Sequence, residues 1–120
     1  MAVTVTNQST PLGGKIVQDD GAGAVKENTT GGSGTLYMVE IDNASYSTAV
    51  YFKMVNAASA TIGSTAATMV LYCPASSRRS YAFPKGIAFS TGFTHWCTTG
   101  AAESSTTTPS TNPTVWYVTS

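Results

Sequence analysis

The chain has 120 residues, with six Lys+Arg against six Asp+Glu and a net charge of zero. That length makes one domain with a small core. Charged residues make up 10%, well under the roughly 25% of an average soluble domain, and the lack of a basic patch argues against nucleic acid as a partner. No stretch approaches the ~18 apolar residues of a membrane span, so no membrane contact is expected.

Ser and Thr keep the surface wet instead; together they exceed a quarter of the residues. Thr favours strands, and Ser and Gly favour turns. Met1 to Thr6 has neither a basic region nor an apolar run, so it does not read as a signal peptide. The expectation is a soluble protein made in a cytosol, in which Cys73 and Cys97 stay as buried free thiols.

Residues 1–34 read as an extended N-terminal arm. Val3 and Val5 alternate with Thr4 and Thr6 as one short strand, and Pro11-Leu12-Gly13-Gly14 breaks it. Lys15-Ile16-Val17-Gln18 is a second apolar scrap; Asp19 to Gly23 and Asn28 to Gly34 are turn and linker chemistry. Val3, Val5, Ile16, Val17 and Val25 are the main large apolar side chains of that segment beside Leu12. They are too few to offset ordering about 30 residues at ~1–2 kcal/mol each. The arm is therefore expected to order on the body or on a neighbouring chain, and to be mobile without a partner.

Residues 35–120 read as the folded domain. Thr35 to Asn56 is expected to be a β-hairpin. Tyr37, Val39 and Ile41 alternate with Met38, Glu40 and Asp42, then Val50, Phe52 and Met54 alternate with Tyr51, Lys53 and Val55. A polar crossing from Ala57 to Ala67 bends at Gly63. Strands follow over 68–73, 80–83, 87–90, 93–98 and 114–119, with Pro74, Pro84-Lys85-Gly86 and the Ser/Thr/Pro stretch 99–113 as breaks. About seven strands separated by turn signals predict an all-β, antiparallel β-sandwich of jelly-roll or immunoglobulin-like type. Ile41, Phe52, Met54, Leu71, Phe83, Phe89, Phe93 and Val115 are its expected core.

Catalytic chemistry is hard to assemble from these residues. His95 is the one histidine; Asp42 or Asp19 could partner it, yet no Ser lies in a G-x-S-x-G elbow. His95 alternates with Phe93 and Cys97, which reads as a packed or edge strand residue. One His and two Cys without a C-x-x-C do not supply a structural metal set. Glu40 and Asp42 share a strand face about 7 Å apart, but they read as solvated polar positions. Gly31-Gly32-Ser33-Gly34 lacks the Lys and the helix of a phosphate loop. No catalytic residue, metal or cofactor is expected. Exposed aromatics are the remaining signal: Tyr51, Tyr72, Trp96 and Trp116 fall opposite or beside the expected core, where they can meet a sugar or a protein.

From Gly34 onward the order GTLYMVEIDN, AVYFKMVNAAS, TIGSTAA, VLYCPASSRRSYAFPKGIAFSTG and VWYV resembles small β-sandwich structural proteins of tailed bacteriophages. The positions that carry the resemblance are Ile41 with Asn43, Tyr51 with Lys53 and Asn56, Gly63 with Thr65, Pro74 to Ser77, and Gly86 to Gly92. It departs at Ala67, where that family has a proline. The resemblance implies a non-enzymatic virion protein, most naturally a head decoration or cement protein on the capsid surface, made in the host cytoplasm. Its implied partners are the major capsid protein and itself, as a homotrimer. Val3, Val5, Ile16, Val17, Tyr51, Trp96 and Trp116 are the expected interface residues. The alternatives are a tail- or fibre-borne carbohydrate-binding module using Trp96 or Trp116, and a neck or tail ring component.

Overall fold

The computed structural model describes residues 3–7 and 14–120. Among these, eight strands form two antiparallel sheets: β1 (Val3–Asn7), β2 (Lys15–Asp19), β3 (Gly34–Asp42), β4 (Val50–Asn56), β5 (Met69–Cys73), β6 (Arg78–Phe89), β7 (Phe93–Thr98) and β8 (Thr114–Thr119). One sheet has the order β1-β2-β8-β3-β6 and the other β5-β4-β7. The protein is thus an all-β antiparallel sandwich.

Its pairings are nested. β2 pairs with β8, β3 with β6 and β4 with β5, and residues 23–29 run along β7. A long hairpin rolled so that early strands meet late ones is the jelly-roll arrangement. Residues 23–29 occupy the position of a full strand: Cys97 N–H donates to Gly23 O at 3.1 Å, Lys26 and His95 exchange both backbone hydrogen bonds, Asn28 N–H donates to Thr94 Oγ1 at 3.0 Å and Thr29 N–H donates to Phe93 O at 2.9 Å.

The expected hairpin at Thr35–Asn56 is instead a crossing between sheets. β3 bonds to β6 and β8, whereas β4 bonds to β5 and β7. The seven residues 43–49 are enough to span the two layers, and the Asn43 amide braces the corner by donating to Thr48 O at 2.9 Å and Pro74 O at 3.0 Å. Alternation still aims the side chains correctly. Val39 and Ile41 from one layer and Phe52 and Met54 from the other meet in the core, because each strand buries the same face whether its neighbour in sequence lies beside it or opposite it.

Seven of the eight expected core residues are buried; Phe83 is half-buried and packs on the core edge. Two short strands expected over 80–83 and 87–90 are one strand, β6, interrupted by an irregularity opposite Tyr37. Gly86 sits in that irregularity at φ +75°, and a side chain there would meet Thr35 at 2.2 Å. Gly63 bends the 57–68 crossing at φ +88°, beneath Thr106 of the 99–113 loop. That loop covers the outer face of β4: Lys53 is 1% exposed and donates to Ala102 O at 2.7 Å.

Residues 15–34 lie in the sandwich, where the sequence reading expected mobility without a partner chain. β2 sits between β1 and β8, and Val17 and Ala22 join the core. The additional stabilisation comes from polar groups that a count of apolar side chains leaves out.

Candidate functional site

Those polar groups form the most unusual feature of the interior. β2 ends at Asp19, which has no exposed surface. Its Oδ1 accepts from Lys26 Nζ at 2.8 Å and from Gly21 N–H at 3.0 Å, and its Oδ2 lies 2.8 Å from His95 Nε2. His95 Nδ1 lies 3.1 Å from the Tyr117 hydroxyl, which in turn meets Thr29 Oγ1. His95 and Tyr117 are also fully buried.

Each strand delivers its residue by alternation. In β7, Phe93, His95 and Cys97 face the core; in β8, Val115, Tyr117 and Thr119 do. Val17 and Asp19 share the inner face of β2. The cluster therefore ties three segments distant in sequence: β2 with the turn after it, β7 of the opposite sheet, and β8. Aromatic rings wall it in. Tyr117 stacks on Phe93 at 4.4 Å between centroids, and Phe52 lies 5.2 Å from the His95 ring.

Proton positions follow from chemistry. Burial alone pushes the Asp19 carboxyl up, but the His95 and Lys26 bonds and the Gly21 N–H outweigh it and hold its pKa at about 2. Asp19 is thus an ionised acceptor, so His95 Nε2 must carry a hydrogen and donate. Burial depresses the His95 pKa against the opposing pull of Asp19, with Lys26 adding to the depression. The ring is neutral, its Nδ1 accepts, and Tyr117 donates to it. Burial pushes the Tyr117 phenol up, so it remains a hydrogen-bond donor.

This arrangement braces the fold; it does not open to a substrate. Asp19, His95 and Tyr117 are all at 0% exposure, and a Tyr whose pKa is raised is a poor nucleophile. Asp42, the other partner considered for His95, instead pairs with Arg78 at 2.9 Å on the surface. Among the described residues no group of three His, Cys, Asp or Glu is placed to hold a metal. Cys73 and Cys97 are buried and form no disulfide, and burial raises both thiols.

The expected interface residues divide. Val5 is 44% and Ile16 36% exposed, with Val3 half-buried beside them. In register, Val5 sits opposite Val17, and Thr6 opposite Ile16, so Val5 and Ile16 lie on opposite faces of the β1–β2 pair. Val17 and Trp96 are buried in the fold and have no surface to offer: Val17 faces the core, and Trp96 lies on the covered outer face of β7 beside Lys53. Tyr51 and Trp116 are half-buried. Tyr51 packs against the exposed Tyr72, with ring centroids 5.3 Å apart, and Arg79 lies over the Tyr72 ring.

Sequence reasoning proposed Asp19 for His95 but missed Lys26, Thr29 and Tyr117. The signal was present for Tyr117. It shares a strand face with Val115, and an inward Tyr must find a polar partner for its hydroxyl. Comparison of the chain with family models, with curated proteins and with solved structures finds no match.

Proposed function

We propose that this chain is a structural protein of a phage virion, a decoration or cement protein that binds the outside of the head and stabilises contacts between coat subunits. The observation that carries this reading is the overhang of the larger sheet. β1 lies at the end of a five-stranded sheet facing a three-stranded one. β2 is its one strand neighbour among the described residues, so its far edge offers a row of backbone donors and acceptors there, with exposed Val5 on that strand and exposed Ile16 on the next. Such an edge can take a strand from a sister copy or a coat subunit. The low charge suits close packing, and many copies on one particle would add avidity. The jelly-roll order recurs in viral capsid and lectin domains, although a fold by itself assigns no function.

The reading expects a homotrimer in solution and cosedimentation with phage heads, both lost in a Val5→Asp/Ile16→Asp variant that keeps its fold by circular dichroism. A strict monomer that ignores capsids would refute it. The Tyr51–Tyr72 pair favours a second reading, carbohydrate binding by ring stacking. Glycan-array binding lost in Tyr72→Ala, with no affinity for heads, would favour that module instead.

A further inference from the structure

We propose that the Asp19–His95–Tyr117 cluster is a pH-sensitive latch, and that protonation of His95 releases the N-terminal segment from β7 and β8 while the remaining sandwich stays folded. The inference does not depend on the virion reading.

The first support is separability. Without β1, β2 and residues 20–33, strands β8-β3-β6 still face β7-β4-β5, a three-on-three sandwich complete in its pairings. The N-terminal segment adds an edge to each layer: β2 on β8, and residues 23–29 on β7. Elements at the edge of a sheet open at lower free energy than central strands.

The second support is where the titratable groups stand. His95 faces Asp19 from β2, Lys26 from the following turn and Tyr117 from β8; β4 offers the uncharged Phe52 and Met54, and β7 itself adds the buried Cys97 thiol. Both charged partners, Asp19 and Lys26, belong to the N-terminal segment. They are balanced while His95 is neutral. A proton on His95 leaves the pocket with one excess positive charge, 2.8 Å from the carboxylate that also holds Lys26.

The third support is hydrogen-bond bookkeeping. In the neutral state Tyr117 donates to His95 and accepts from Thr29. A protonated ring donates at both nitrogens, so the Tyr117 hydroxyl must turn and donate to Thr29 Oγ1. Thr29 then donates to Phe93 O, 3.1 Å away. That carbonyl already accepts the Thr29 N–H at 2.9 Å. Protonation therefore reverses the side-chain relay from His95 through Tyr117 to Thr29, while the backbone bonds of Lys26 and Thr29 to β7 keep their direction.

The sign is fixed by burial. His95 prefers its neutral form in the closed state, so the open state takes up the proton first, and the opening equilibrium grows as pH falls below the ordinary histidine value of about 6.5. One-proton linkage sets a ceiling of about tenfold per pH unit.

Hydrogen exchange followed by mass spectrometry on the full chain, between pH 7.5 and 5 and corrected for intrinsic rates, tests this. Residues 14–33 should lose protection as pH falls, with a slope approaching tenfold per unit, while β4 and β5 remain protected. His95→Gln should flatten that slope. His95 is the one histidine, so its ring NMR signals need no assignment, and in the wild type its titration should coincide with opening. Protection of residues 14–33 that is independent of pH, or that falls only together with β4, overturns the proposal. If His95→Gln does not fold, the two wild-type measurements decide alone.

Discussion

Asp19 and His95 are 76 positions apart in the chain and 2.8 Å apart in the fold, and neither has exposed surface. One closes a strand of the larger sheet, and the other sits mid-strand in the smaller. Their contact spans the sandwich, so it reports whether the N-terminal segment is seated.

Asp19→Ala should be among the most damaging single changes. It leaves the buried His95 Nε2 without its acceptor and Lys26 with only Gly21 O, and breaking a buried charge pair costs about 3–5 kcal/mol. Urea denaturation should show a lower midpoint; a loss under about 1 kcal/mol would mean that the pair is not formed in solution.

Tyr117→Phe keeps the ring that stacks on Phe93 and removes one hydroxyl. His95 Nδ1 is then a buried acceptor without a donor, a loss of about 1–3 kcal/mol. Comparing this variant with Asp19→Ala in the same titration separates the ionic end of the cluster from the neutral one.

Global stability should depend on pH in two acid steps. His95 has a lowered pKa, so its contribution is complete above about 6.5 and is lost as pH falls through its depressed value. Asp19 is lowered to about 2 from 3.8, so its contribution is complete above 3.8 and disappears as pH drops toward 2. Thermal midpoints should be flat at neutral pH and above, and should fall on acidification. A midpoint that rises between pH 7 and 5 would contradict the assigned directions.

Deleting residues 1–34 should leave a folded but weakened sandwich. The cut removes Val17 and Ala22 from the core and uncovers His95 and Tyr117, yet six strands keep their pairings. Circular dichroism should retain its β signature with a lower melting point, and the freed His95 should titrate near the ordinary value of about 6.5. A random-coil spectrum would show that β2 is indispensable to the core.

Both thiols should resist labelling by a disulfide reagent in the native state and react on unfolding, because both are buried with raised pKa. Reductant should leave the denaturation midpoint unchanged. A drop on reduction would reveal a disulfide between them.

By itself the sequence determined the local layer of this fold. Alternation in Tyr37–Ile41, Val50–Met54 and Phe93–Cys97 marked strands and their buried faces, since the side-chain period of two is a property of the strand alone. It determined most of the core and singled out His95. Which strands pair was left to the tertiary structure. Thr35–Asn56 has the pattern of a hairpin, and alternation is identical whether β4 lies beside β3 or across from it. The seating of residues 15–34 was likewise decided in three dimensions. Val17 and Ala22 alone are a weak anchor; the segment is also held by its backbone pairing to β8 and β7, by Asp19 meeting His95 and by Thr29 meeting Tyr117. Charges in water give no sign that they will be buried together, because their stabilisation depends on distance and on the dielectric that the closed fold creates.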